Sequence, residues 1–329
     1  MKILGIDTSN YMTSVAVVDD QGVVHSDLRV PIPVPQGERG LRQSEAFFNH
    51  IKNLPELIEQ VMSGAGANQF GAVVASVSPR QQPGSYMPVF LSGTAVARVV
   101  AATLRIPFIE RSHQEGHLCA ALASSGFNPQ SERFLAVHLS GGTTELLEVD
   151  WGLAADNRPR IKLLGGTSDL NAGQFVDRIG VMLGLPFPAG THLERLAAKA
   201  GGTIRLTTAI QDLNPSFSGP AAQAERLLAA GAEPAEIALA VQNAIVKVLE
   251  KWLLKAVALT GLRQVLISGG VAANRYIRER LSHRLAKRDK GITVYFGEPK
   301  LSGDNAVGLA LSYWYPVLPP VAYSGEVNR

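Results

Sequence analysis

Two imidazoles four residues apart, in His113-Gln114-Glu115-Gly116-His117, are the side chains of this sequence best placed to do chemistry. With Ser112 as the N-cap of a helix, the pair falls about 40° apart on one helical face, close enough to share a metal ion. Neutral imidazole suits Zn, Fe, Ni or Cu, and a site needs a third ligand, for which a carboxylate from elsewhere in the chain is the natural source. Asp304 is the best candidate, in the small-residue loop Leu301-Ser302-Gly303-Asp304-Asn305-Ala306 that leads into a helix. A zinc peptidase wants glutamate directly after the first histidine. Gln114 stands there, and Glu115 falls on a different helical face.

A histidine pair of this spacing is also ordinary surface decoration, so its meaning depends on three small-residue turns. Lys2 to Ile6 reads as a buried strand that ends in Asp7-Thr8-Ser9 and returns over Ser14 to Val18; such a turn can offer hydroxyls, backbone amides and a carboxylate to phosphate or its metal. The pattern restarts at Phe134 to Leu139, with the turn Ser140-Gly141-Gly142-Thr143-Thr144 and a return over Glu145 to Val149. Adjacent glycines let a backbone approach phosphate, although Gly-Gly is also a plain hairpin turn. A third strand, Gln264 to Ile267, runs through Ser268-Gly269-Gly270 into a helix, an arrangement that aims amides and a helix dipole at a nucleotide. Two lobes that each open with such a hairpin imply a duplicated domain holding a nucleotide between its halves.

Apolar periodicity predicts the helices that carry these turns: about Ser44 to Met62 with a bend at Pro55, Val89 to Leu104, Asn171 to Leu183, Thr191 to Lys199, Pro234 to Leu259, and a closing helix after Asp304 to about Tyr315. Pro31 to Gly40, Ser78 to Tyr86 and Pro215 to Gly219 read as loops, and the Pro-rich tail as loosely ordered. Arg275, Arg278, Arg280, Arg284, Lys287, Arg288 and Lys290 form the strongest basic cluster, a solvated helix face or a contact for nucleic-acid phosphate. At 329 residues, 46% hydrophobic and 18% charged, the chain has material for two sizeable cores and gives no sign of disorder. A net charge of +3 is too small to argue for a polyanionic partner by itself. The single cysteine, Cys119, excludes an internal disulfide framework, and neither a signal peptide nor a run of the ~20 apolar residues that cross a bilayer is present, so the expected location is the cytoplasm.

Several short motifs, taken together and in order, resemble the tRNA N6-threonylcarbamoyladenosine transferase family, formerly known as O-sialoglycoprotein endopeptidase. They are Gly5-Ile6-Asp7-Thr8-Ser9, His113-x3-His117, Ser140-Gly141-Gly142-x-Thr144-Glu145, Ala172-Gly173 with Asp177, Leu183-Gly184-Leu185-Pro186, Ser216-Phe217-Ser218-Gly219, Gly269-Gly270-Val271-x-Ala273-Asn274-Arg275 and Asp304-Asn305. The resemblance implies an α/β, two-lobed actin/Hsp70/sugar-kinase (ASKHA) fold of duplicated ribonuclease-H-like domains about a central cleft. Residues 1–112 with 302–329 would form one lobe and 113–301 the other.

It further implies that His113, His117 and Asp304 hold one divalent metal, iron or zinc. Ser140, Gly141, Gly142, Thr143, Thr144, Asp177, Gly190, Gly269, Gly270 and Asn274 would contact ATP, AMP or threonylcarbamoyl-AMP, with Asp7, Thr8 and Ser9 on the phosphate side. The implied activity is transfer of threonylcarbamoyl from its adenylate to N6 of the tRNA adenosine next to the anticodon. The implied partners are tRNA, an adenylate-forming synthase, a TsaB-like paralogue and an ATPase subunit. The chain departs from the family where Cys-Asp-Glu-Thr is usual and Asn10-Tyr11-Met12-Thr13 stands, and Thr143 replaces a histidine. The family's Gly-Pro-Gly loop is Ser78-Pro79-Arg80 here. These departures mark a divergent paralogue and leave two other readings: a non-catalytic nucleotide- and metal-binding partner, or carbamoyl transfer to a different acceptor.

Overall fold

The computed structural model describes residues 1–9, 11–34, 41–65, 69–129, 132–152 and 157–324. Asn10, residues 35–40 of the expected Pro31 to Gly40 loop, and 325–329 of the tail therefore lie outside the described residues. The first half of the chain runs β1 (Lys2–Asp7), β2 (Met12–Asp19), β3 (Val23–Pro31), α1 (Gln43–Ala65), β4 (Phe70–Ser78), α2 (Phe90–Leu104), β5 (Phe108–Ser112) and α3 (His113–Ser125). The second runs β6 (Arg133–Leu139), β7 (Thr144–Asp150), β8 (Arg160–Gly166), α4 (Ala172–Met182), α5 (Gly190–Ala197), β9 (Ala209–Gln211), β10 (Asn214–Ser216), α6 (Ser218–Ala229) and α7 (Pro234–Thr260). It ends with β11 (Gln264–Ser268), α8 (Arg275–Arg288), β12 (Thr293–Phe296), α9 (Pro299–Ser302), α10 (Val307–Leu311) and β13 (Ala322–Tyr323).

The two halves build the same sheet. The strand order β3-β2-β1-β4-β5 repeats as β8-β7-β6-β11-β12, with an antiparallel meander on one side and parallel strands on the other. Side-chain alternation along the strands sorts residues into layers. Leu4, Ile6, Val15 and Val17 face α1 and α2, while Ile3, Ala16 and Val18 face inward onto Leu118, Ala121, Leu309 and Ala310 of α3 and α10. Phe134, Ala136 and Leu147 of the second sheet join that inner cluster from the other side, and Leu135, Val137 and Leu139 turn outward onto α4 and α7. Both sheets are thus covered on both faces, as their near-continuous apolar strands require. The helices α3 and α10 fill the layer between the sheets.

Some expectations need correction. Pro215 to Gly219 is not a loop: Asn214–Ser216 pairs with β9, and Ser218 opens α6. Gly219 and Pro220 occupy that helix's first turn, where a missing N–H costs nothing. The closing helix is shorter than expected, since only Val307–Leu311 is α-helical before a tight turn over Ser312–Trp314. The described part of the tail is ordered, because β13 adds to the outer edge of the first sheet beside β3. β9, α6, β12, α9 and β13 have no counterpart in the sequence reading. No helix among the described residues is long and apolar enough to cross a membrane.

Candidate functional site

The start of α3 is fixed by a capping box. Ser112 is extended, its hydroxyl accepts from the Glu115 amide, and the Glu115 carboxylate accepts from the Ser112 amide at 2.6 Å. Arg158 grips the same carboxylate through Nε at 2.9 Å and a terminal nitrogen at 2.5 Å. Glu115 is therefore fully committed as a buried anchor, which agrees with the exclusion of peptidase chemistry. With the helix fixed, the Nε2 atoms of His113 and His117 lie 3.0 Å apart, and each is 3.5 Å from Oδ1 of Asp304. Three ligands about 2.0–2.2 Å from one tetrahedral cation stand about 3.3–3.6 Å from each other, so the two carboxylate–imidazole separations already match a divalent metal and the histidine pair need open by only about 0.3 Å to take one.

Asp304 arrives from the far end of the chain, and its position is well defined. Asn305 donates to the carbonyls of Leu301 and Gly303 and accepts from the Gly308 amide, which ties the loop to the first turn of α10. Gly308 then lets α10 press against α3, since a Cβ there would lie 1.9 Å from the carbonyl oxygen of Gly116, between the two histidines. Arg278 donates to the Ala272 and Gly297 carbonyls at 2.5 Å and to the Ser302 hydroxyl at 3.3 Å, which braces the same loop from below.

Asp7 has a role the sequence did not show. Its Oδ1 lies 3.1 Å from Nδ1 of His113 and accepts from the Ser76 hydroxyl at 2.5 Å, while Oδ2 accepts from Ser9 at 3.0 Å. This is the carboxylate–histidine pairing that orients a metal-binding imidazole from behind. Burial disfavours a charged His113, but Asp7 and then Asp304 outweigh it and raise its pKa to about 10 in the metal-free protein. Burial and the nearby His113 lower that of His117. Burial also opposes ionisation of Asp304, yet the two histidines hold it well below the usual carboxylate range. Thr8 is wholly buried, accepting from the Gly93 amide and donating to the Val89 carbonyl, so it ties the first turn to α2.

His138, at the end of β6, also escaped the sequence reading. It is 3% exposed, its ring centroid is 4.5 Å from that of His117, and neither of its nitrogens has a hydrogen-bond partner; Nδ1 of His117 is likewise orphaned. Burial, with the charge of His117 and His113 nearby, keeps its pKa well below the ordinary value, so it is a neutral imidazole. Orphaned buried nitrogens are costly and call for a partner, and a bound cation with its remaining ligands is one that would suit them. The available signal was a lone histidine in the otherwise apolar run Phe134 to Leu139.

Beside this cluster lies a cavity of about 630 Å³, lined by Gly141, Asp177, Gly190, Gly270 and Asn274 together with the apolar Val176, Leu193 and Ile277. Five of the expected nucleotide residues therefore share one surface. Ser140, Thr143, Thr144 and Gly269 shape the walls instead: Ser140 closes the turn onto the Thr143 carbonyl, and the Thr144 hydroxyl accepts from the Ala172 amide at the start of α4. Gly269 has φ +95°, and a Cβ there would lie 2.3 Å from the Leu139 carbonyl oxygen and 2.8 Å from the His138 ring, so the backbone is pressed against His138. Asn274 caps α8 by accepting from the Ile277 amide. Asp177 accepts from the Ala189 amide at 2.7 Å, and burial raises its pKa. Gly142 lines a second cavity of about 470 Å³, which shares Gly141 and Asp177 with the first.

The basic cluster is not one open stripe. Arg284 and Arg288 both reach the buried Glu250, Arg275 pairs with Glu279, and Arg278 is turned inward onto carbonyls. Another guanidinium crosses the cleft, where Arg80 of the Ser78 to Tyr86 loop pairs with Glu145 of β7.

A sequence model of the tRNA N6-adenosine threonylcarbamoyltransferase family matches residues 35–311. The protein of that name from Thermus thermophilus is 35% identical over 320 residues, covering 95% of this chain and 92% of the relative. Its namesake from Methanopyrus kandleri is 30% identical over 311 residues, covering 94% and 86%. Among solved structures, full-length HypF in a phosphate- and nucleotide-bound form superposes with a TM-score of 0.61 at 16% identity, over 95% of this chain and 46% of that one. The activator of 2-hydroxyisocaproyl-CoA dehydratase from Clostridium difficile does so with a TM-score of 0.53 at 13% identity, over 95% and 94%. At such identities the likeness speaks for the fold, which is the two-lobed actin/Hsp70/sugar-kinase arrangement.

Proposed function

The chain belongs to the tRNA N6-adenosine threonylcarbamoyltransferase family, and we propose that it transfers threonylcarbamoyl from threonylcarbamoyl-AMP to N6 of the tRNA adenosine next to the anticodon. The observation that chiefly supports this is the convergence of His113, His117 and Asp304, whose ligand atoms all lie within 4.8 Å of one another beside the glycine-lined cavity. A divalent cation held there, iron or zinc by the donor set, would supply Lewis acidity toward the phosphate and carboxylate oxygens of the adenylate.

The chain's own groups do the rest. Asp7 steadies His113, the amides of Gly141 and Gly270 offer donors to the phosphate, and the apolar side of the cavity takes the adenosine. Holding donor and acceptor together lets the amine nitrogen bond to the carbamoyl carbon as the acyl–phosphate bond breaks, with AMP leaving on the electron pair and the amine's proton passing to the departing phosphate or to solvent. No covalent protein nucleophile takes part; Cys119 is buried, and burial pushes its thiol pKa up. In this reading residues 1–112 with 302–329 form one lobe and 113–301 the other. The protein works in the cytoplasm on tRNA, with an adenylate-forming synthase, a TsaB-like paralogue and an ATPase subunit as helpers.

Incubation with the adenylate and substrate tRNA, followed by mass spectrometry of the nucleosides, is the test. Modified adenosine that disappears in Asp304→Ala is the expected result; metal and AMP binding with no modified nucleoside would contradict it. Tyr11 and Met12, standing where the family carries an acidic pair, favour a second reading as a non-catalytic nucleotide- and metal-binding partner. Under that reading, restoring Asp and Glu at positions 11 and 12 creates activity that the natural chain lacks.

A further inference from the structure

We propose that the second cavity, walled by Tyr11 and Phe187, seats the acceptor base: an unpaired purine of the RNA turned out of its stack. The inference rests on the transferase reading above and names the part of the site that receives the acceptor.

The two rings sit 6.1 Å apart at 69°, and both line the cavity of about 470 Å³. That size lies within the roughly 300–1,000 Å³ typical of small-molecule sites. Tyr11 belongs to the first sheet's opening turn, and its carbonyl is fixed by the Ile32 amide at 2.8 Å. Phe187 comes from the connection between α4 and α5 of the other half, so the wall forms only when both halves face each other. Gly141 and Asp177 line this cavity and the nucleotide cavity alike, which puts an acceptor here next to a donor there.

The polar lining suits a neutral base. Asp169 is already satisfied by the hydroxyls of Ser216 and Ser218, Arg178 is paired with Glu225 at 2.5 Å, and Asp177 accepts from the Ala189 amide at 2.7 Å, so none of the three stands as an unbonded charge that selects an ion. Gln174 adds an amide for a base edge. An aromatic face where the family carries an acid exchanges charge for stacking, which holds any base by its π-face and is weakened about five- to a hundredfold by truncation of the ring.

The test uses the full chain and an anticodon stem-loop carrying a fluorescent purine analogue at the acceptor position, with AMP affinity measured calorimetrically on the same proteins. Tyr11→Ala and Phe187→Ala are expected to weaken stem-loop binding about five- to a hundredfold, Tyr11→Phe to stay within about twofold, and AMP affinity to hold in all three. Stem-loop binding unaltered in Tyr11→Ala, absent from the natural protein, or lost together with AMP binding in both alanine variants overturns the assignment. Stem-loop binding through Tyr11 without product formation defeats the transferase reading alone. Product formation whose KM for tRNA ignores Tyr11→Ala defeats the base seat alone.

Discussion

The candidate metal site depends on how closely two helices approach, and Gly308→Ala tests that dependence. The added Cβ would lie 1.9 Å from the Gly116 carbonyl oxygen, whereas real Cβ contacts essentially never fall under 3.0 Å, so the contact must open by at least about 1.1 Å. The oxygen it meets is backbone in the middle of the histidine-bearing turn and cannot swing aside. Asp304 lies one short loop before Gly308, and its Oδ1 is only 3.5 Å from each imidazole. Displacing α10 by an ångström carries the carboxylate out of ligand range of a cation on the histidines. Overpacking should cost about 1–3 kcal/mol, a fall of a few degrees in Tm, and metal affinity should drop by at least the 10–100-fold typical of disturbed supporting groups. Calorimetric titration of the apoprotein with Zn(II), alongside thermal melts, gives both quantities. Gly64→Ala is the control, because a Cβ there meets nothing within 4 Å. A Gly308→Ala protein that melts with the parent and takes up one equivalent of metal at the parent's affinity refutes the reasoning.

Three further outcomes follow from the same geometry. Burial resists ionisation of Glu115, but Arg158, with Ser112, holds its pKa below the ordinary value, so the group adds stability above about pH 4.5 that fades as pH falls through the lower folded value. Arg158→Ala leaves that carboxylate buried, bonded to Ser112 and, among the described residues, with Arg111 at 3.9 Å as its remaining cation, and should cost roughly 3 kcal/mol at pH 7. Urea unfolding at pH 7 and pH 4 should show the gap to the parent narrowing in acid; a constant gap counts against the pairing. Replacing His138 by Leu removes two orphaned nitrogens and should stabilise the metal-free protein by about 1–2 kcal/mol while shrinking the rise in Tm on adding metal. No gain in the presence of chelator would mean that those nitrogens are satisfied. Asn305→Ala releases the loop that carries Asp304 and should lower metal affinity about 10–100-fold with α-helical circular dichroism unchanged, and undiminished affinity would show that the loop holds itself.

Much of this molecule was legible before its coordinates. The hairpins at Ile3 to Val18 and Phe134 to Val149 announced themselves because their strands are largely buried on both faces, which leaves mostly apolar runs between polar turns. Ser112 as N-cap rested on a local capping signal and is the N-cap of α3, while Asp304 as the distant carboxylate rested on loop composition, and the fold brings it to 3.5 Å from each imidazole. The start of α6 was hidden because Ser216-Phe217-Ser218-Gly219-Pro220 has turn chemistry throughout, and only the docking of Asp169 onto Ser216 and Ser218 shows that a helix opens there. The role of Asp7 could not be read at all. It depends on a partner 106 positions away, and no periodicity or spacing reports a contact made by packing two ends of a fold. His138 was missed for the opposite reason, since a single polar residue in an apolar strand looks like noise until its neighbours are known.

The groups around the cation site come from positions 7, 113, 117 and 304, so the centre is assembled in a fixed temporal order as well as in space. On a ribosome adding about 5–20 residues per second, roughly ten to forty seconds separate the emergence of His117 from that of Asp304. Throughout that interval the nascent chain can offer a stray cation two imidazoles and no closing carboxylate. Firm retention of a metal by these groups therefore waits until Asp304 has been added and packed against the two histidines.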